Sequence, residues 1–238
     1  MSTTPSIPVS IPVICIHNLS YQYEFNLVLH KINLDIGVGE YLGIVGPNGG
    51  GKTTLIKLIL GILSESKQLS SKKLPSAITI AKGLKFGYIP QRLTTSGQDF
   101  PAKVSELLIN SFQKFDKSKY DYLLGLCEIT HLQNRLLCEL SGGERQKVFI
   151  AKSLIREPDF LILDEPTTGI DPHYKVKFWK LLQELNHDKK IGIIIISHDS
   201  HEILSNAKRL ILVDKTIQKD TQAKHFAHNL THHIGHSH

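Results

Sequence analysis

The chain has 238 residues, 41% hydrophobic and 21% charged, which is ample for one large domain or for a core with an inserted subdomain. A formal net charge of +6 permits an anionic partner without demanding one; with no arginine-rich tract, and with Lys67, Lys72 and Lys73 read as solvated surface, no nucleic-acid partner is expected. The longest apolar run, "IGIIII", is far below the roughly 20 residues of a membrane helix, so any membrane association has to come through other subunits.

The N-terminus, "MSTTPSIPVSIPV", has three prolines and no basic region, so it reads as a loose arm rather than a signal peptide. "PVICIHNL" and "INLDI" are β-branched and alternating, as strands are. "YLGIVG", a Gly-rich loop and "KTTLIKLILGIL" then follow as strand, loop and helix. The polar stretch "SESKQLSSKKLPS" reads as a surface loop, and "AITI" and "LKFGYI" as strands. From Arg92 to about Glu157 the pattern is mostly helical. Strand character returns at "DFLILDEP" and "IGIIIIS". Between them lies a helix with Asp171 as cap, Pro172 at its first position, and Phe178, Leu181, Leu182 and Leu185 in one stripe, with Trp179 packing beside it. A last strand, "RLILVD", precedes a polar, His-rich tail. Short apolar strands alternating with helices predict a buried parallel sheet. Cys15, Cys127 and Cys138 form no CxxC pair, so each is expected to be a small core residue in a reducing compartment.

"GPNGGGKT" fits G-x-x-x-x-G-K-[ST], with Gly46, Gly51, Lys52 and Thr53 in the fixed places. Its glycines, with Pro47, Asn48, Gly49 and Gly50, let successive N–H groups turn inward as an anion nest at a helix N-terminus. Lys52 is expected to reach the β- and γ-phosphates, Thr53 to bind Mg²⁺, and Thr54 to continue the ATP-binding loop. "FLILDEP" supplies the other half: Asp164 for the metal, Glu165 to polarise an attacking water. One acid for the metal and one for water implies hydrolysis.

"LSGGERQ", Leu140 to Gln146, presents a hydroxyl, N–H groups and a helix dipole to a second anion. Together with "GPNGGGKTT", "PQR", "LDEP" and "SHD" in that order, it resembles the ATP-binding cassette ATPases over about residues 13 to 215. The resemblance implies an α/β fold: a P-loop NTPase (RecA-like) core with an N-terminal antiparallel β region and an inserted helical subdomain. A single domain, 13–238, is expected, with core segments 13–91 and 157–222, the helical insert at 92–156 and the tail at 223–238. The resemblance also implies a homodimer in which Ser141, Gly142, Gly143 and Glu144 contact the ATP of the other copy, with Asp171 crossing the interface. Gln91 matches the glutamine that senses Mg²⁺ and water, His198 the histidine on the γ-phosphate, and Tyr23 the aromatic on adenine, with Tyr21 as rival. "SESKQLSSKKLPS" and "TTGID" depart from the usual pattern outside the catalytic set.

With no span of its own, the chain is expected to work through transmembrane permease subunits, peripheral on the inner, cytoplasmic face of the cell membrane. "RLTTSGQDFPAKVSELL" looks like the subgroup that drives metal-ion importers, for zinc before manganese or iron, with an extracytoplasmic metal-binding protein as indirect partner. The alternatives are a soluble Fe–S assembly type and a cassette for another solute. Six of the 13 histidines, His225, His228, His232, His233, His236 and His238, lie in the last 14 residues, some three or four apart, a spacing suited to zinc if helical.

Overall fold

The computed structural model describes residues 11–63, 76–91, 101–168, 171–198 and 200–223. In chain order the elements are β1 (Pro12–Tyr23), β2 (Asn26–Gly37), β3 (Tyr41–Val45), α1 (Lys52–Ile59), β4 (Ile78–Ile80), β5 (Phe86–Ile89), α2 (Val104–Ile109), α3 (Lys117–Leu126), α4 (Gly142–Leu154), β6 (Phe160–Asp164), α5 (Pro172–His187), β7 (Gly192–Ile196), α6 (Ser200–Leu204), β8 (Arg209–Asp214) and β9 (Thr216–Gln222). They fall into two compact units, Met1–Leu84 with Ile194–His238, and Lys85–Ile193. The chain crosses from the second unit back to the first within β7.

In the first unit, alternation decides the N-terminal region. Ile14, Ile16, Leu19 and Tyr21 of β1 and Leu29, Ile32, Leu34 and Ile36 of β2 are at most 4% exposed, and the residues between them face outward. One buried face and one solvated face suit antiparallel pairing, and β1 pairs antiparallel with both β2 and β4. β3 is different: all five of its residues are buried. It pairs in parallel with β8, from Leu42 opposite Arg209 to Val45 opposite Leu212. α1 stops at Ile59, short of the "LGIL" that continues its apolar pattern, and Gly61 turns the chain at φ 67.

β9 was not visible in the sequence, which reads as a polar tail after "RLILVD". It pairs antiparallel with β8 and is half-buried along most of its length, so neither alternation nor an apolar run marks it. Its Asp220 meets Arg209, which is 6% exposed. The Arg209 guanidinium donates to Asp220, to Glu40 Oε1 at 2.9 Å and to the Asp35 carbonyl at 2.8 Å. Burial alone would lower the arginine pKa; the Asp220 and Glu40 carboxylates outweigh it and hold the pKa above its ordinary value.

In the second unit, β5 and β6 pair in parallel, from Phe86 opposite Phe160 to Ile89 opposite Leu163. α5 begins as its sequence dictates, with Asp171 Oδ1 accepting from the His173 N–H at 2.8 Å and Pro172 in the first turn. Phe178, Trp179, Leu181, Leu182 and Leu185 are buried, each such apolar side chain contributing about 1.5–3 kcal/mol. The cysteines divide: Cys127 is buried, with desolvation pushing its thiol up to about 12, but Cys15 is only half-buried and Cys138 is exposed. The expectation of three core cysteines therefore fails at Cys138. No helix among the described residues is long and apolar enough to cross a membrane.

Removing the Arg209 side chain leaves two carboxylates facing each other in a partly buried cluster. Arg209→Ala is expected to lower stability by about 3 kcal/mol, measured by urea unfolding, with Arg209→Lys intermediate.

Candidate nucleotide site

The loop after β3 is shaped by what lies beneath it. Gly46 has φ 148, and a Cβ there would lie 2.0 Å from the Val213 carbonyl oxygen of β8. Gly51, which caps α1, has φ 97, and its Cβ would meet Leu29 Cδ2 at 2.6 Å and the Val28 carbonyl at 2.9 Å. These two positions exclude any side chain, both by backbone conformation and by space. The Gly50 N–H donates to the Pro47 carbonyl at 3.1 Å, and the Gly50 carbonyl accepts from the Lys215 N–H at 2.9 Å. Pro47, Asn48 and Gly49 remain exposed over this base.

Lys52 is 7% exposed, and its ammonium donates to the Gly46 carbonyl at 2.8 Å and the Pro47 carbonyl at 2.9 Å. The charge is thus held within the loop, on two of the loop's own carbonyls. Thr53 and Thr54, in the first turn of α1, are half-buried. His198 lies two residues beyond β7 and is exposed; the Ser197 N–H donates to the Ile44 carbonyl at 3.3 Å, tying this exit to β3. Tyr21 is 4% exposed and Tyr23 40%, with the rings edge-on at 5.1 Å. Of the two, only Tyr23 offers an open face.

The second unit carries the carboxylates. Asp164, 2% exposed, ends β6, and Glu165, 8% exposed, follows at φ 52. A glutamate in the left-handed region costs about 1–3 kcal/mol and persists only where its surroundings impose it. The Thr168 hydroxyl donates to Glu165 Oε2 at 3.3 Å. Thr168 was missed in the sequence, although "DEPTT" places a hydroxyl three residues after the acid. Gln91, exposed, lies two residues past Ile89, just as Glu165 lies two residues past Leu163, the partner of Ile89. Gln91 and the two acids therefore leave the same end of one parallel strand pair, the end where such sheets bind ligands. Tyr88 on β5 is pushed up to about 12 by burial, with the Asp164 charge adding to it.

In the same unit, Ser141 caps α4. Its hydroxyl accepts from the Glu144 N–H at 3.3 Å and donates to Glu144 Oε2 at 2.8 Å, while the Ser141 N–H donates to that oxygen at 2.9 Å. S-x-x-E here forms a reciprocal capping box. Desolvation would raise the Glu144 pKa, but the bonds from Ser141, with Arg135 and His131 nearby, hold it below the ordinary value. Gly142 is exposed; Gly143 is buried, with Tyr174 of α5 3.0 Å from where its Cβ would be. Asp171 is exposed and spends one oxygen on its cap. The histidines of the tail, from His225 to His238, lie outside the described residues.

The family model described as ABC transporter matches residues 29–168. The chain belongs to the ABC transporter family. Its similarity to curated members of that family runs over most of its length. It is 33% identical to the zinc uptake system ATP-binding protein ZurA of Listeria monocytogenes, covering 92% of this chain and 89% of that one. It is 36% identical to the zinc import ATP-binding protein ZnuC of Psychrobacter arcticus, covering 88% and 83%. Among solved structures it resembles cbiO1 of Clostridium perfringens, part of the ABC transporter complex cbiONQ, at 26% identity and a TM-score of 0.75 over 94% of each chain. The mixed antiparallel and parallel α/β fold is that of a P-loop NTPase cassette, as the sequence led us to expect.

Gly46→Ala would press a methyl group into the Val213 carbonyl. We expect it to abolish detectable nucleotide binding, measured with a fluorescent ATP analogue, and to destabilise the fold by more than about 2 kcal/mol.

Proposed function

We propose that this chain is the ATP-hydrolysing subunit that drives uptake of a divalent metal ion, zinc before manganese or iron, through a membrane permease. The observation that carries the metal is the pair of relatives, named for zinc uptake and zinc import, that align over at least 88% of the chain. Neither supports an Fe–S assembly role. Two copies would act together at the inner face of the membrane, bound to permease subunits that an extracytoplasmic metal-binding protein supplies. The insert that carries α2, α3 and α4 is the natural contact with the permease.

ATP is held by the loop from Gly46 to Thr54, with Tyr23 stacked on adenine. Lys52 exchanges its hold on the Gly46 and Pro47 carbonyls for phosphate oxygens. The donors Thr53, Asp164 and Gln91 are hard oxygen groups of the kind that suit Mg²⁺; bound there, the ion would neutralise charge on the β- and γ-phosphates. Glu165, fixed by its backbone and by Thr168, orients and polarises the attacking water. His198 holds the γ-phosphate, and its donor is worth most where water is excluded.

Water is excluded by the second copy. Its Ser141 hydroxyl would give up Glu144 Oε2 for a γ-phosphate oxygen, and the Gly142 and Gly143 N–H groups, left without intrahelical partners at the start of α4, would face the same anion. Glu144 and Asp171 line that interface. Closure of the dimer then moves the helical stretch and switches the permease, and hydrolysis reopens it.

Cells carrying Glu165→Gln as their only copy test this reading. We expect radiolabelled zinc uptake to fall at least tenfold, with ATP binding retained and manganese competing poorly against wild-type uptake. Undiminished zinc uptake, alongside ATP hydrolysis by the purified wild type, would sink the assignment of zinc.

A further inference from the structure

The N-terminal sheet carries a cluster that the nucleotide site does not use. Ile14 and Ile16 of β1 are fully buried, so Cys15, between them, and His17, next on its face, point to the opposite side. Asp35 of β2 is the cross-strand partner of Cys15, and such partners have Cβ atoms about 4.5–5.5 Å apart. Cys15 Sγ, a His17 ring nitrogen and an Asp35 carboxylate oxygen all lie within 4.8 Å of one another. Tetrahedral zinc, with bonds of about 2.0–2.3 Å, needs these atoms roughly 3.3–3.6 Å apart. His17 is exposed, so its ring is free to turn toward the other two ligands.

One observation separates this cluster from an ordinary polar face. Asp35 Oδ1 is buried and has no hydrogen-bond partner among the described residues. Leaving such an acceptor unmatched is unfavourable, and a cation would supply what it lacks. Arg209 does not: it donates to the Asp35 main-chain carbonyl, and its other bonds go to Glu40 and Asp220. A divalent metal bound here would displace the Cys15 thiol proton. The thiol proton leaves to solvent, and the thiolate and carboxylate share the ion.

We propose that Cys15, His17 and Asp35 form a binding site for a divalent metal ion of the zinc class, with solvent as the fourth ligand. Thiolate, imidazole and carboxylate together favour zinc or cobalt over magnesium and calcium, which take oxygen ligands. The site uses none of the residues assigned to ATP, and it stands apart from the transport reading. A metal there joins β1 to β2 through side chains, within the hairpin that also bears Tyr23.

Cobalt(II) titrated into the reduced, purified full chain tests the proposal by absorption spectroscopy. One equivalent should produce a thiolate-to-cobalt charge-transfer band, and zinc should bleach it. Cys15→Ser should remove the band, Cys138→Ser should keep it, and Asp35→Asn should weaken binding at least tenfold. The tail from His225 onward contains no cysteine and cannot give this band. His17→Ala, a change at an exposed position, should also weaken binding at least tenfold with an unchanged circular dichroism spectrum, so a misfolded Cys15 variant would not blunt the test. No band in the wild type, a band that survives Cys15→Ser, or unaltered affinity in His17→Ala would each overturn the site.

Discussion

The close approach of the Gly46 backbone to the Val213 carbonyl of β8 is the constraint on which the nucleotide site depends. Only a residue without a Cβ can leave β3 at φ 148 with a carbonyl oxygen 2.0 Å from where that Cβ would be. The loop is therefore seated on β8, and the Lys215 N–H closes the seat from the far side through the Gly50 carbonyl. β8 in turn is held in register by its parallel pairing with β3 and its antiparallel pairing with β9. At its other end, Arg209 gathers Glu40, Asp220 and the Asp35 carbonyl. A buried guanidinium cluster at one end of a strand and a phosphate loop at the other are thus parts of one support.

The two candidate anion sites are built differently. The phosphate loop satisfies itself with a lysine, whose ammonium sits on the loop's own carbonyls. The start of α4 satisfies itself with a carboxylate, since Glu144 Oε2 takes both donors of Ser141. Each device is stable alone, and each has an internal partner that a phosphate could replace. Glu165 is held in a third way, by a left-handed backbone and by the Thr168 hydroxyl.

Much of this was legible because several segments obey a single strong rule. β3, β7 and β6 as far as Leu163 are short apolar runs because they are buried on both faces. α5 starts where Asp171 and Pro172 say it must. The phosphate loop could be read from glycine spacing alone. β9 could not, because a half-buried strand at a sheet edge draws its stability from backbone pairing with β8 and from Asp220, neither of which leaves a pattern. Nor could the fate of Cys138, which sits exposed in the middle of a three-residue helical turn, Leu137–Glu139. The Cys15–His17–Asp35 cluster escaped for a related reason: two of its members are two apart on β1 and the third comes from the register of β2.

The central claim is that one ATP is shared between the phosphate loop of one copy and the start of α4 in another. Analytical ultracentrifugation of Glu165→Gln, with and without Mg·ATP, tests it most directly. We predict a mass that doubles on adding ATP and a return to single copies when Ser141→Arg is added to the same chain. A protein that binds ATP to saturation and still sediments as a single copy would contradict the account.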